Sequence, residues 1–325
     1  NHQQLNTTLT QLSGEIYAHS LQSLTGAERS IFASMMHSTC NIGCSRGPEE
    51  FSGEVLWGRI VGDHSNHSAD RISSGFAANQ KGVVFGSTPT SHDDISIGVA
   101  GSYTENRVRT STLSMSKSAA VGGYLYLSYK PSSSFNFSGS FGVSLSNTNI
   151  RRNIQTTVSV VEASSKRRGI TVMAGGRASY RAFVDNAISL WGDASLELYN
   201  TSIGRLSELS SHPDYALIVG KVNRLSAETY LGGRLRLEDD QSCLDISAGW
   251  AYEHGEDPAV NRSLELGDAK WRVSSVDYGR SAVRLGVRSS ALLSDRLRLF
   301  SLYQYTQHGD GYRYSRAAVG VDFLF

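Results

Sequence analysis

Apolar and polar residues alternate with a period of two over most of this chain. From Ile95 to Tyr103 the odd positions carry Ile, Ile, Val, Gly and Tyr, while the positions between them carry Ser, Gly, Ala and Ser. Phe135 to Leu145 places Phe, Phe, Gly, Phe, Val and Leu on one side and Asn, Ser, Ser, Gly and Ser on the other. Such alternation predicts strands with one face in an apolar medium and one in a polar medium. Ten segments follow it: Ile95–Tyr103, Ala119–Tyr129, Phe135–Leu145, Ile170–Ala182, Ile188–Leu198, Leu225–Leu237, Leu244–Tyr252, Val283–Leu293, Leu297–Tyr305 and Tyr312–Phe325; two more ahead of them, Glu54–Gly62 and Ala78–Thr88, alternate less cleanly and are placed by position and length, which makes twelve. A soluble sandwich fails on the number of such strands, because no second sheet is left to cover their apolar faces. Closure of all twelve into an antiparallel transmembrane barrel leaves no open edge and satisfies every backbone group.

The spacing of the segments sets the polarity of the barrel. Connections after the odd-numbered segments are long, as at 63–77, 151–165, 203–220 and 254–280, whereas those after the even-numbered segments are mostly short, as at Pro131–Ser134, Asp185–Ala187 and Ser294–Asp295. This asymmetry predicts long loops at the cell surface and short turns in the periplasm, with the C-terminus periplasmic.

The first fifty residues read differently. Leu5, Leu9, Leu12 and Ile16 have helical spacing, extended by Leu21 and Leu24. Thr25-Gly-Ala-Glu28 has the form of a capping box, which predicts a second helix over about 26–37 carrying Glu28, Ile31 and Met35. A helix of that length is too short and too polar to cross lipid, but it fits inside a pore. The chain therefore divides into a linker and lumen helix at 1–50 and a barrel at 51–325.

Composition narrows the class. A net charge of +1 gives no bias toward nucleic acid, and no run of 18 apolar residues marks a transmembrane helix, which excludes nothing for strands that alternate. The chain opens without an initiating Met, as a mature or excised fragment would.

Inward positions of the predicted strands carry Arg177, Arg181, Asp193, Glu197, Arg224, Glu228, Arg234, Arg236, Asp245, Arg284, Arg288 and Arg316. A turn at Asp185 sets Arg177 roughly opposite Asp193. These charges line a wet lumen, either gripping the helix or stiffening the wall, and Glu15 and Glu28 are the helix carboxylates expected to meet the surplus arginines. Asp63-His-Ser-Asn-His-Ser68 falls in the first long connection; without a nucleophile elbow or regular ligand spacing it reads as a polar loop, so neither catalysis nor a metal or other cofactor is expected.

Two stretches carry a family resemblance. Leu9-Thr-Gln-Leu12-Ser13-Gly14-Glu15-Ile-Tyr-Ala-His-Ser20 resembles the Leu-x-x-Leu-Ser-Gly-Glu-x-x-Ala-Ser segment ahead of the translocator barrel of monomeric autotransporters, the type V secretion family, with His19 inserted. Gly320, Phe323 and the terminal Phe325 resemble the C-terminal signal that outer-membrane barrels present to their assembly machinery. Trp57-Gly58-Arg59 and Gly98–Tyr103 are similar to the family's first and third strands. The resemblance implies a monomer in bacterial outer-membrane lipid that exports an N-terminal passenger of its own, with periplasmic chaperones and the barrel assembly machinery as partners. A twelve-stranded porin for small polar solutes is the competing reading, and it has no need of the first fifty residues.

Three cysteines remain. The oxidising periplasm makes Cys40–Cys44 the simplest bridge, with Cys243 left over; a tie from either to Cys243 instead staples the helix end to the wall.

Overall fold

The computed structural model describes residues 11–40, 54–68, 75–92, 94–111, 114–156, 159–255, 261–275, 279–309 and 311–325. One long helix, α1 (Ile16–Cys40), precedes a barrel of twelve antiparallel strands. In chain order these are β1 (Val55–His67), β2 (Phe76–His92), β3 (Ile95–Thr110), β4 (Met115–Ser132), β5 (Phe135–Gln155), β6 (Val160–Asp185) and β7 (Ile188–Ile203), followed by β11 (Val222–Glu238), β12 (Ser242–Gly255), β15 (Ser281–Ser294), β16 (Leu297–His308) and β17 (Arg313–Leu324). Each pairs with its sequence neighbour, and β17 returns to β1 with Leu56 opposite Phe323 and Ile60 opposite Val319. The backbone N–H of Phe325 donates to the Glu54 carbonyl at 3.0 Å, so the seam is bonded to its last residue.

The period-two pattern becomes the wall. Ile60, Phe85, Val121, Leu145 and Leu125 face outward and exposed, whereas Arg59, Val84, Ala120 and Ser144 between them face inward and buried. Removal of those outward chains from water is the lipid's contribution, and no soluble partner layer is needed. The turns at one end are tight. Asn186 is the one non-glycine residue with positive φ among the described residues, and it lets the chain reverse between β6 and β7. In the β11–β12 turn the Asp239 carboxylate accepts from the N–H groups of Gln241 and Ser242 at 2.8 and 2.7 Å. Those bonds hold the Asp239 carboxyl below its usual range.

The other end is elaborated. β5 and β6 run 21 and 26 residues, far past the length that crosses an apolar band, so much of the connection expected at 151–165 is strand. Between β7 and β11 lie β8 (Leu206–Ser207), β9 (Leu209–Ser210), a 3-10 turn at Pro213–Tyr215 and β10 (Ile218–Val219). The connection after β12 holds the hairpin of β13 (Asn261–Leu266) and β14 (Ala269–Ser274). β8, β10, β13 and β14 join in a separate four-stranded sheet, and β9 pairs with β6 through Ala163 and Ser210.

Candidate functional site: the helix-filled lumen

At 25 residues and 1.5 Å per residue, α1 is about 37 Å long, enough to thread the barrel from end to end. It packs against the arc from β1 to β6. The helix expected over 26–37 is thus the second half of a continuous one, and the capping box at Thr25 does not form. Thr25 Oγ1 instead back-bonds to the Leu21 carbonyl at 3.3 Å, and Glu28 turns away to the wall. A cap requires non-helical backbone at its first residue, whereas a lumen that buries α1 on nearly every side rewards an unbroken cylinder.

Toward the short-turn end the contact is apolar. Ile31, Phe32, Met35 and Met36 meet Trp57, Val61, Tyr124, Tyr126, Met173, Phe300 and Leu302 in one buried cluster. Phe32 lies flat enough on the backbone that a Cβ at Gly175 would sit 2.5 Å from its Cζ. Trp57 Nε1 donates to Tyr126 Oη at 2.7 Å, which in turn shares a hydrogen bond with Thr88 Oγ1 at 2.8 Å. Of the family-like triplet, Trp57 thus serves the apolar cluster and Arg59 the seam, ion-paired with Asp322 across β1 and β17.

Midway, polar groups take over. Glu28 accepts from Tyr124 Oη at 3.2 Å and Ser144 Oγ at 2.5 Å. A Cβ at Gly142 would overlap the Tyr124 ring, so the glycine makes the space from which Tyr124 reaches Glu28. Ser30 donates to Asp63 and accepts from Arg316 Nε at 3.0 Å. Arg29 crosses to the opposite arc, donating to Ser226 Oγ at 2.8 Å and pairing with Glu253 and with Glu228 at 3.5 Å. Arg284 closes on the same Glu228 at 2.5 Å, and Arg224 lies 4.0 Å from Glu253.

The remaining wall charges form a network under α1. Asp193 binds Arg177 at 2.9 Å and Arg234 at 3.3 Å, while Asp245 binds Arg234 at 3.3 Å, Arg236 at 2.8 Å and Arg288. Arg181, Arg234 and Arg236 also stack over Trp191, at 5.6, 5.0 and 5.6 Å from its ring centre. Between this arc and α1 lies a cavity of only about 80 Å³, lined by Arg29, Phe32, Glu197, Glu228 and Arg234 among others.

At the long-loop end the Leu-Ser-Gly-Glu segment meets the loop sheet. Leu12 packs on Ile154, Val161 and Ala163, and the Ser13 carbonyl accepts from Trp271 Nε1 at 3.2 Å. Gly14 has φ +75, and a Cβ there would lie 2.7 Å from Leu264 Cδ1 and 3.0 Å from Leu217 Cδ1. Only glycine both turns there and tolerates that closeness. Glu208, from the loop between β8 and β9, accepts from Arg152 Nε at 2.7 Å and Nη2 at 2.6 Å, from Tyr17 Oη at 2.6 Å and from the Leu217 N–H at 2.9 Å. Arg152 also donates to the carbonyls of Gln11 and Tyr215, so one buried ion pair ties wall, helix entry and loop together.

Several expectations change in detail. Arg177 does pair with Asp193, but diagonally, since its register partner is Ser195. Glu28 takes hydroxyls where arginines were expected, Glu15 lies 3.8 Å from His19, and Arg29 makes the crossing ion pairs. Asp63 and His64 belong to β1 rather than to a loop, Asp63 inward on Ser30 and His64 outward on Asn79. Cys243 is disulfide-bonded, which with three cysteines in the chain is incompatible with a Cys40–Cys44 pair and a free Cys243. Cys44 and the Cys40 side chain lie outside the described residues. Arg29, Arg152, Glu208 and Glu253 escaped the sequence reading, although Glu253 follows in the inward alternation of β12.

A closed twelve-stranded barrel with lipid-type outward residues and an interior helix defines an outer-membrane translocator architecture. The model of the autotransporter beta-domain matches residues 56–304, and the chain belongs to that family. It is a translocator domain for passenger secretion across the bacterial outer membrane and is not an enzyme. Among solved structures the chain is similar to the translocator domain of the autotransporter NalP from Neisseria meningitidis, with TM-score 0.75, 12% identity, and 95% of this chain and 99% of that one covered. The transport unit of the autotransporter AIDA-I from Escherichia coli aligns at TM-score 0.61 and 13% identity, covering 91% and 98%. The beta domain of the Bordetella autotransporter BrkA aligns at 0.55 and 14%, covering 84% and 100%. No curated protein matches by sequence.

Proposed function

We propose that residues 1–50 are the passenger's trailing linker and a plug, and that 51–325 are the pore through which the passenger leaves. The long-loop end faces the cell surface and the short-turn end, with Phe325, faces the periplasm. The supporting observation is the course of α1, which enters beneath the loop sheet at Gly14, fills the lumen, and ends beside the short turns from which β1 starts. A chain held this way has its upstream part outside once transport is complete. Leu12, Ser13, Gly14 and Glu15 mark the exit, and Thr25, Glu28, Ile31 and Met35 fill the bore. The lumen charges hold α1 in register, and Gly320, Phe323 and Phe325 are read by the assembly machinery, with chaperones delivering a monomer. A second duty falls on Gly320, where a Cβ would strike the Gly58 carbonyl across the seam.

An epitope-tagged, unstructured segment fused ahead of Asn1 and expressed in a Gram-negative host is expected to reach the surface of intact cells, where added protease removes it. A folded barrel in the outer membrane with the tag shielded in the periplasm would contradict the export direction.

A further inference from the structure

We propose that the outward face of β2–β6 at the long-loop end is a binding ridge for the phosphorylated glycolipid of the outer leaflet. The proposal rests on the orientation given under the proposed function.

Strand register lays the outward residues in rows. Val83, Tyr103, Val121, Leu145 and Ile170 are consecutive partners across the five strands, and all are exposed hydrophobics. Two residues farther toward the long loops the row becomes Lys81, Glu105, Ala119, Asn147 and Arg168, and the next is Asn79, Arg107, Lys117, Asn149 and Lys166. Arg109 and Arg151 follow in the row beyond. At about 7 Å per row, the surface passes from wholly apolar, through a row of mixed charge, to strongly cationic within two pleat repeats. That is the profile of an amphiphile whose acyl chains lie against the lower row and whose anionic head lies against the upper ones.

Carboxylates balance only part of this charge. Lys81 pairs with Glu105 at 3.1 Å and Arg151 with Glu162 at 3.8 Å. Arg107, Arg109, Lys117, Lys166 and Arg168 make no ion pair among the described residues. Arg107 and Lys117 stand directly opposite each other, an arrangement that destabilises a sheet face unless an anion bridges it. Phosphate oxygens accept from guanidinium and ammonium donors together, and the interleaved Asn79, Asn147 and Asn149 offer amides to sugar hydroxyls. Lys81, Arg107, Arg109, Lys117, Asn147 and Asn149 are among the residues lining an open groove of about 680 Å³, the scale of a sugar-phosphate headgroup, and Lys166 stands at its side as the register partner of Asn149. Elsewhere at this end the outward cations are sparser: Arg313 of β17 stands alone between Asn66 of β1 and Gln307 of β16, with His64 on β1 and His254 on β12 also facing outward. The apolar row beneath the charges selects a lipid over a soluble polyanion.

The test titrates the full refolded chain, in uncharged detergent, with diphosphoryl lipid A and with the same lipid dephosphorylated. The phosphorylated form is expected to bind at least about tenfold more tightly, a preference that R107E/K117E/K166E abolishes while the barrel keeps its heat-sensitive gel mobility. Equal binding of the two lipids, or an unchanged preference in the triple variant, would overturn the ridge. Complete competition by millimolar inorganic phosphate would also overturn it, as a free-anion site. Orientation is read separately: Ser111→Cys, against the unaltered chain as background, should react with an impermeant maleimide in intact cells. Reaction only after lysis removes the outer-leaflet assignment whatever the lipid titration gives.

Discussion

Glu208→Ala is expected to release the loop sheet from the barrel mouth without unfolding the barrel. Glu208 and Arg152 are both fully buried, and Glu208 is the acceptor for the Arg152 guanidinium, the Tyr17 hydroxyl and the Leu217 N–H at once. Truncation to alanine leaves a guanidinium in a dry site, a loss of about 3–5 kcal/mol when one partner of a buried pair is removed. The strand ladders do not pass through Glu208, so the cost falls on the contacts between the loops and the Leu-Ser-Gly-Glu segment. Faster amide exchange and protease cutting over 205–222 should report it, with the melting of the barrel little changed. Arg152→Met combined with Glu208→Met removes both charges and should recover much of the protection, since an apolar pair of similar volume replaces an ionic one at small cost. Native-like protection in Glu208→Ala alone would mean that the apolar cluster of Leu217, Leu264 and Tyr17 holds the cap unaided.

The second large effect is expected from Arg29→Glu. Arg29 is the helix's one cation inside the carboxylate pair Glu228 and Glu253. Reversal places a third carboxylate between them, with Glu197 lining the same cavity. Losing the pair alone costs on the order of 3 kcal/mol, which multiplies the displaced population of α1 by about a hundredfold. In a planar bilayer the full-length variant should show frequent openings that the unaltered chain lacks. Glu253→Arg in the same chain restores opposite charges and should suppress them. Unaltered closure in Arg29→Glu would place the grip in the apolar cluster of Phe32, Met35 and Met36 instead.

The wall was legible in the sequence because its cause is local. Alternation at period two in Ile95–Tyr103 or Phe135–Leu145 reflects one side chain at a time choosing lipid or lumen, and the structure follows it at Ala317–Phe325 as well. Closure followed from the same logic, since an open edge cannot exist in lipid. The helix was legible as a helix but not in extent. Thr25-Gly-Ala-Glu28 carries a local cap signal, and the surrounding wall overrides it by giving Thr25 and Glu28 buried partners. Pairings across the lumen depend on the rotation of α1 against the barrel, which no short stretch encodes. Hence Glu28 was expected among arginines and found among hydroxyls, while Arg29, one residue on and about 100° around the helix, holds the carboxylates. The long loops were read as connections because β8, β10, β13 and β14 are too short to show a period. The β10–β13 pairing that joins the two loops comes from residues more than forty positions apart, such as Val219 and Leu264. Gly14 was singled out by family likeness; its physical reason, a positive φ beneath Leu264, needed the loop sheet in place.

The central claim is that α1 is the closed state of the pore, and single-channel conductance tests it most directly. The full chain and a chain of residues 51–325 are refolded, checked for heat-sensitive gel mobility, and inserted in the same bilayer. The full chain should be nearly silent, because a helix about 10 Å across leaves only a small cavity beside it, and the shortened one should pass at least about tenfold more current in stable steps. Equal, large conductance from both would mean that α1 does not close the lumen, and the barrel would then stand as an open porin-like channel.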